Sequence, residues 1–196
     1  ASGTLNLVNS AVSEGVASIV MPQIDFDSAA ASSWKSRADQ IFEPGVFDAL
    51  ADNTTLSGII FVNGTPAPLR KTLTIQGLLV VNGDFTLAPP GNLVITSAPS
   101  GSGLLVKDDL KLQSATDAQG LIYAEHWLQI EKYNQGAAPF TVSVTGGLVG
   151  FNVKIQPSAG STVTITYNQD AVSTPLDPAV NTAAPLIQIG HWEEEY

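Results

Sequence analysis

The sequence contains no cysteine, so no disulfide braces the fold and no thiolate chemistry is open to it. Charge is scarce as well. Charged residues make up 13% of the 196 positions, about half the usual share. A chain of this length buries a sizeable core as one domain, so its surface must be built from Ser, Thr, Asn, Gln and Gly. That composition suits an extracellular β protein. Positive charge is the rarer sign: Lys and Arg number 8 against 18 Asp and Glu, a net charge of -10. An acidic surface repels phosphate backbones and disfavours nucleic acid as a partner. No apolar run reaches the length of a membrane span, and no signal-peptide pattern follows Ala1.

Chemistry-bearing constellations are missing too. His126 and His191 are far apart, with no third ligand at zinc spacing. There is no Gly-x-Ser-x-Gly elbow and no phosphate-cradling glycine loop. The residues therefore predict no catalytic, cofactor-binding or metal site.

What the sequence does contain is a repeat. Gly77-Leu78-Leu79-Val80-Val81-Asn82-Gly83-Asp84-Phe85-Thr86-Leu87 reads as a glycine, a short apolar strand, a tight turn and a second, alternating strand. The pattern returns from Gly58, Gly103, Gly120 and Gly147, with Ile60, Leu79, Leu105, Ile122 and Val149 two places after each glycine. Phe85/Leu87, Leu110/Leu112, Leu128/Ile130 and Val153/Ile155 form the alternating second strand. A third follows at Leu73/Ile75, Leu93/Ile95, Val142/Val144 and Val163/Ile165, and none is visible in the copy from 103 to 120. Period two with an apolar inner face is a strand signal. Helix-free repeats that restart at a glycine predict a parallel β-solenoid of about five or six turns, right-handed by the general crossover preference.

Three parts follow from this pattern. Residues 1–57 form an N-terminal segment with a capping helix, 58–170 the solenoid repeats, and 171–196 a C-terminal extension. In the first part, Leu5–Val8 and Val16–Val20 are strand candidates. A helix is predicted over residues 25–42, capped by Asp27 or Ser28, with Trp34, Ala38 and Ile41 on one face and Pro44-Gly45 ending it. In the last part, Leu186–Ile189 is a strand candidate.

Some side chains invite a functional reading. Asp84 and Asp109 fall at matching places and would sit on neighbouring turns, as a polysaccharide-cutting β-helix would require; as turn residues they need no such role. Asp108 and Asp109 could share a Ca²⁺ with backbone oxygens. Trp127 and Tyr123 could offer an aromatic face to a sugar or base, or simply cover the sheet. Asn63-Gly64 and Asn82-Gly83 suit tight turns.

Met21-Pro22-Gln23-Ile24-Asp25-Phe26-Asp27, the repeats from Gly58 and Gly77, and the ending His191-Trp192-Glu193-Glu194 together resemble the β-solenoid region of PilX-type minor-pilin-like proteins of bacterial envelopes. The resemblance implies a non-enzymatic domain displayed on or near a type IV pilus, for adhesion or assembly. Its partners would be other pilus or envelope proteins, or further copies of itself. Membrane contact would run only through a hydrophobic N-terminal pilin helix, which the sequence from Ala1 onward does not include. The repeats are also similar to those of bactofilins, β-helices that polymerise end to end.

Overall fold

The computed structural model describes residues 5–8, 24–99 and 101–173. Eleven strands form one parallel system wound into a β-solenoid of about six turns. They are β1 (Leu5–Val8), β2 (Gln40–Phe42), β3 (Thr54–Val62), β4 (Thr72–Val81), β5 (Phe85–Leu87), β6 (Asn92–Thr96), β7 (Gly103–Val106), β8 (Leu110–Leu112), β9 (Ala115–Glu131), β10 (Thr141–Gln156) and β11 (Thr162–Tyr167). Three short helices accompany them: α1 (Trp34–Arg37), α2 (Pro44–Asp48) and α3 (Gln169–Ser173).

Each turn has three faces. Face A holds the segments before the corner glycine, where β3, β4, β6, β9, β10 and β11 stack with Thr54↔Leu73, Leu73↔Leu93, Leu93↔Thr116, Val142↔Thr116 and Val142↔Val163 in register. Face B follows the glycine, with Ile60↔Leu79, Leu79↔Leu104, Leu104↔Ile122 and Leu148↔Ile122. Face C is the short third segment, Phe85↔Leu110, Leu110↔Leu128 and Val153↔Leu128. Alternation turns one set of side chains inward on all three faces. Leu73, Ile75, Leu79, Val81, Phe85 and Leu87 are buried in a single core column. Burying such a side chain contributes about 1.5–3 kcal/mol, and no turn can do it without its neighbours.

Two details of the repeat differ from the sequence reading. Gly103 pairs with Leu78 and Leu121 rather than with a corner glycine. Gly146, and not Gly147, aligns with Gly120. The inward residues of those turns are therefore Leu104 and Leu148, while Leu105 and Val149 join the outer cluster over face B. A slip of one residue flips every side chain of a pleated strand; Gly101 and Gly103 flank the true corner residue, Ser102, and Gly146-Gly147 offered two candidates for the other corner. The third strand absent from the 103–120 reading exists as the first part of β9. Its inward residues are Thr116 and Ala118, too small or polar to signal a core strand. Thr116 Oγ1 donates to the Ser114 carbonyl at 3.3 Å.

The helix predicted over 25–42 shrinks to α1, capped by Ser33, whose Oγ accepts from the Ser36 N–H. Residues 40–42 are strand β2, paired to β3. Pro44 opens α2 instead of ending a helix, because a proline lacks only an amide that a first turn leaves unpaired anyway. The tertiary pull that overrides helix propensity is an apolar outer strip on face B. Ile59, Phe61, Leu78, Val80, Leu105, Leu121 and Tyr123 are buried there beneath Phe26 and Trp34. An α-helix across 25–42 would not let both Phe26 and Trp34 reach it while residues 40–42 extend the sheet.

One end of the rod is capped among the described residues, and the other is extended by an edge strand. At one end α2 places Phe47 over the core, in an edge-on contact with Phe42 of 6.1 Å. Lys71 Nζ donates to the Asp48 and Leu50 carbonyls at the helix C-terminus, where a cation is favoured. The exposed edge of β3 is met by side chains: Asp39 Oδ2 accepts from the Ile59 N–H at 2.8 Å, and Gln40 Nε2 donates to the Ser57 carbonyl at 3.3 Å. At the other end β1 adds to β11, with Leu5↔Val163 and Leu7↔Ile165. β1 and β2 thus lie at opposite ends of the stack. β3 begins at Thr54, four residues ahead of the expected boundary at Gly58. The strand candidates Val16–Val20 and Leu186–Ile189, and His191 with Trp192, lie outside the described residues.

Candidate functional site

The corner between faces B and C gathers most of the side chains with chemical potential. It holds Asn63, Asn82, Asp84, Lys107, Asp108, Asp109, His126 and Trp127. The solenoid does bring Asp84 and Asp109 onto neighbouring turns, as their spacing suggested. One carboxylate oxygen of each is engaged by a backbone amide of the next turn. The Asp84 N–H donates to Thr65 Oγ1 at 3.0 Å, the Asp109 N–H to Asp84 Oδ1 at 3.0 Å, and the Trp127 N–H to Asp109 Oδ1 at 3.3 Å. Each side chain therefore satisfies an amide that the tight corner leaves without a strand partner. This ladder ties turn to turn and does not resemble an acid–base pair.

Asp84→Ala is therefore expected to cost about 0.5–1.5 kcal/mol of stability, the net worth of one such bond. Asp84→Asn keeps an acceptor and should lie closer to wild type. Urea midpoints of the two variants test this, and equal midpoints for Ala and Asn would refute the ladder's role.

Asp108 approaches His126 Nδ1 at 3.8 Å, with both side chains largely exposed. Among the described residues no three His, Asp or Glu side chains come together as a metal would require. Asn63 and Asn82 stack at the same corner but do not bond to each other. Asn63 Oδ1 accepts from Lys35 Nζ at 3.1 Å and its Nδ2 donates to Glu43 at 2.9 Å.

Asn82 Nδ2 donates to Asp27 Oδ2 at 3.0 Å, and Lys107 Nζ lies 3.2 Å from Asp27 Oδ1. Asp27 is thus no helix cap. It is the clasp that fixes the N-terminal segment against the corner, and only the fold brings residues 27, 82 and 107 together. The Asn82 bond, then the Lys107 bond and charge, hold the Asp27 carboxyl below its ordinary value of 3.8. A depressed native pKa contributes stability above the unfolded value and loses it as pH falls through the native one. The melting temperatures of wild type and Asp27→Ala should therefore differ most above the ordinary aspartate range and converge in stronger acid. The plateau difference should correspond to less than about 1 kcal/mol, since the pair is exposed. A difference that persists unchanged into acid would contradict the clasp.

The two aromatic residues raised in the sequence part company. Tyr123 is fully buried beneath Phe26, with ring centroids 6.4 Å apart. Burial, and then the Glu125 carboxylate, push its phenol well above the ordinary range, so it stays a neutral packing residue. Trp127 instead stands 42% exposed, and Phe151 on the adjacent turn is 73% exposed. The register of β10 against β9 shifts between Gly150 and Asn152, where Phe151 alone stands opposite Glu125 and His126 of β9. Nothing in the sequence marked it.

Face A is different in character. Outward positions such as Thr74, Thr96, Ser143, Thr145, Thr164 and Thr166 alternate with core residues, and Asp117 is the one charged outward residue on its described strands. A third feature is a shallow polar groove of about 280 Å³ beside face A, lined by Ser97, Gln119, Thr145 and Asn168 among others.

No known protein family, characterised protein or solved structure matches this chain.

Proposed function

We propose that this protein is a non-enzymatic module of the bacterial cell envelope, associated with type IV pili in the manner of a minor pilin and serving adhesion or assembly. The observation that carries the reading is a rod whose broad face A is almost uncharged and whose corner residues Asp84 and Asp109 each accept a backbone amide of the next turn. Such a surface suits display of a rigid body better than turnover of a substrate. The resemblance of residues 21–27, of the glycine repeats and of the 191–194 ending to PilX-type proteins supplies the pilus. The capped β3 end favours a module that stands alone over a bactofilin-like filament, because α2 sets Phe47 over the core there and Asp39 and Gln40 occupy the β3 edge.

The test is localisation of the tagged gene product in its own host. Co-purification with sheared pili, or surface labelling in electron micrographs, is the expected result. Recovery in the cytosolic fraction alone would overturn the reading. Filaments grown from the purified chain would transfer support to the scaffold.

A further inference from the structure

We infer that the exposed Trp127 platform at the head of face C binds a neutral hexopyranose polysaccharide. The inference gives the adhesive module a ligand class and rests on that reading only for its biological use. Trp127 is 42% exposed, although Ala124 and Leu128 on either side of it in β9 are buried. Its register partner one turn on is Asn152. Two places along the strand, Lys111, Gln129 and Lys154 form an outward column across three turns. Lys154 is held by Glu131 at 3.2 Å, while Lys111 has no ion pair among the described residues. Phe151, next to Asn152 in sequence, is 73% exposed.

A pyranose ring has the matching chemistry: a face of C–H groups that packs on an indole, and hydroxyls radiating from its rim. On a parallel sheet, side chains recur about 4.8 Å apart between turns and about 6.6 Å apart along one face of a strand. Gln129, Asn152 and Lys111 are therefore spaced to reach hydroxyls around one ring stacked on Trp127. Charge selects the type of glycan. Asp108, Asp109 and Glu125 border the platform, and like charge disfavours a polyuronate or a nucleic acid there. The continuation of the same face across several turns suits a polymer better than a single sugar. Because the platform is open and not a pocket, affinity must come from repeated weak contacts along the chain.

The test uses the full 196-residue protein in affinity gel electrophoresis, with hydroxyethylcellulose, mannan or dextran in the gel and polygalacturonate as the anionic comparison. Retardation by at least one neutral polymer is expected. It should weaken at least tenfold in Trp127→Ala, recover in part in Trp127→Phe, and stay unchanged in Thr164→Ala on face A. Circular dichroism confirms that each variant is folded. Quenching of tryptophan fluorescence by the neutral polymer in wild type, absent in Trp127→Ala, provides a second readout. The inference fails if no neutral polymer binds, if Trp127→Ala binds as well as wild type, or if polygalacturonate binds best. It also fails if sedimentation shows Trp127→Ala converting a dimer to a monomer with no effect on glycan, since the patch is then a self-contact. Loss of glycan binding with pilus association intact sinks this inference alone, and the converse sinks the pilus reading alone.

Discussion

Gly120→Ala is expected to lower the melting temperature by roughly 5–20 °C. Gly120 has φ +114°, and a Cβ there would lie 1.9 Å from the Ser102 carbonyl oxygen of the preceding turn. The same close approach continues down the corner, where a Cβ on Gly146 would meet the Gly120 oxygen at 1.9 Å. Neither obstacle is a side chain that can swing away. Both are backbone oxygens fixed by the stacking itself. A left-handed residue costs about 1–3 kcal/mol and forced overpacking about another 1–3. For a protein of this size each kcal/mol corresponds to roughly 2–4 °C. Gly136→Ala is the control. It also has positive φ, +81°, but nothing lies within 4 Å of its added Cβ, so it incurs the strain without the clash. Thermal melts followed by circular dichroism separate the two terms. A Gly120→Ala melt within about 2 °C of wild type, or equal to Gly136→Ala, would show that the corner glycines are not required by stacking.

The second large effect concerns the N-terminal strap. Trp34 is 4% exposed, packed with Phe26 on the outer strip of face B, and the Arg37 guanidinium lies 4.1 Å from its ring. Trp34→Ala should cost about 3–5 kcal/mol. Most of that loss should appear as local release of the strap, because the inner core of the solenoid does not include Trp34. Lys35 and Arg37 then become accessible to trypsin. Cleavage follows the population of the opened state when reclosing is fast, so a rate increase of at least ~10-fold at these two sites is expected. Limited digestion followed by mass spectrometry reads it directly. An unchanged cleavage rate, or cleavage spread evenly over the strands, would show that strap and solenoid unfold together.

The difference between these two residues shows how legible the chain was. The glycine corners were visible because a stacked fold must repeat them, and the alternation at Phe85/Leu87 or Val163/Ile165 was visible because one face of each strand meets the core. Where those signals weakened, the reading slipped. Paired glycine signals at 101–103 and 146–147 concealed a shift of one residue, and Thr116 with Ala118 concealed a whole strand. The helix assigned to 25–42 failed for another reason. Local propensity favoured it, but the fate of Phe26, Trp34 and Ile41 depended on an apolar strip built by residues 59 to 123, which no local window contains.

The candidate site divides in the same way. Matching positions on successive turns placed Asp84 beside Asp109 from sequence alone. That their oxygens would accept the amides of Asp109 and Trp127 depended on the corner's backbone path. Asp27 with Asn82 and Lys107 was invisible, being separated by 55 and 80 residues, as was the exposure of Phe151 at a bulge. The sequence by itself determined the unit: a glycine corner, three short strands, an inward apolar column and an outward surface poor in charge, since period-two alternation and backbone sterics act within a few residues. Tertiary structure alone decided which residue takes each corner, how α2 caps one end while β1 extends the other, and which aromatic is buried and which is left exposed. Those outcomes depend on what the neighbouring turn presents, and stacking, not local preference, selects among them.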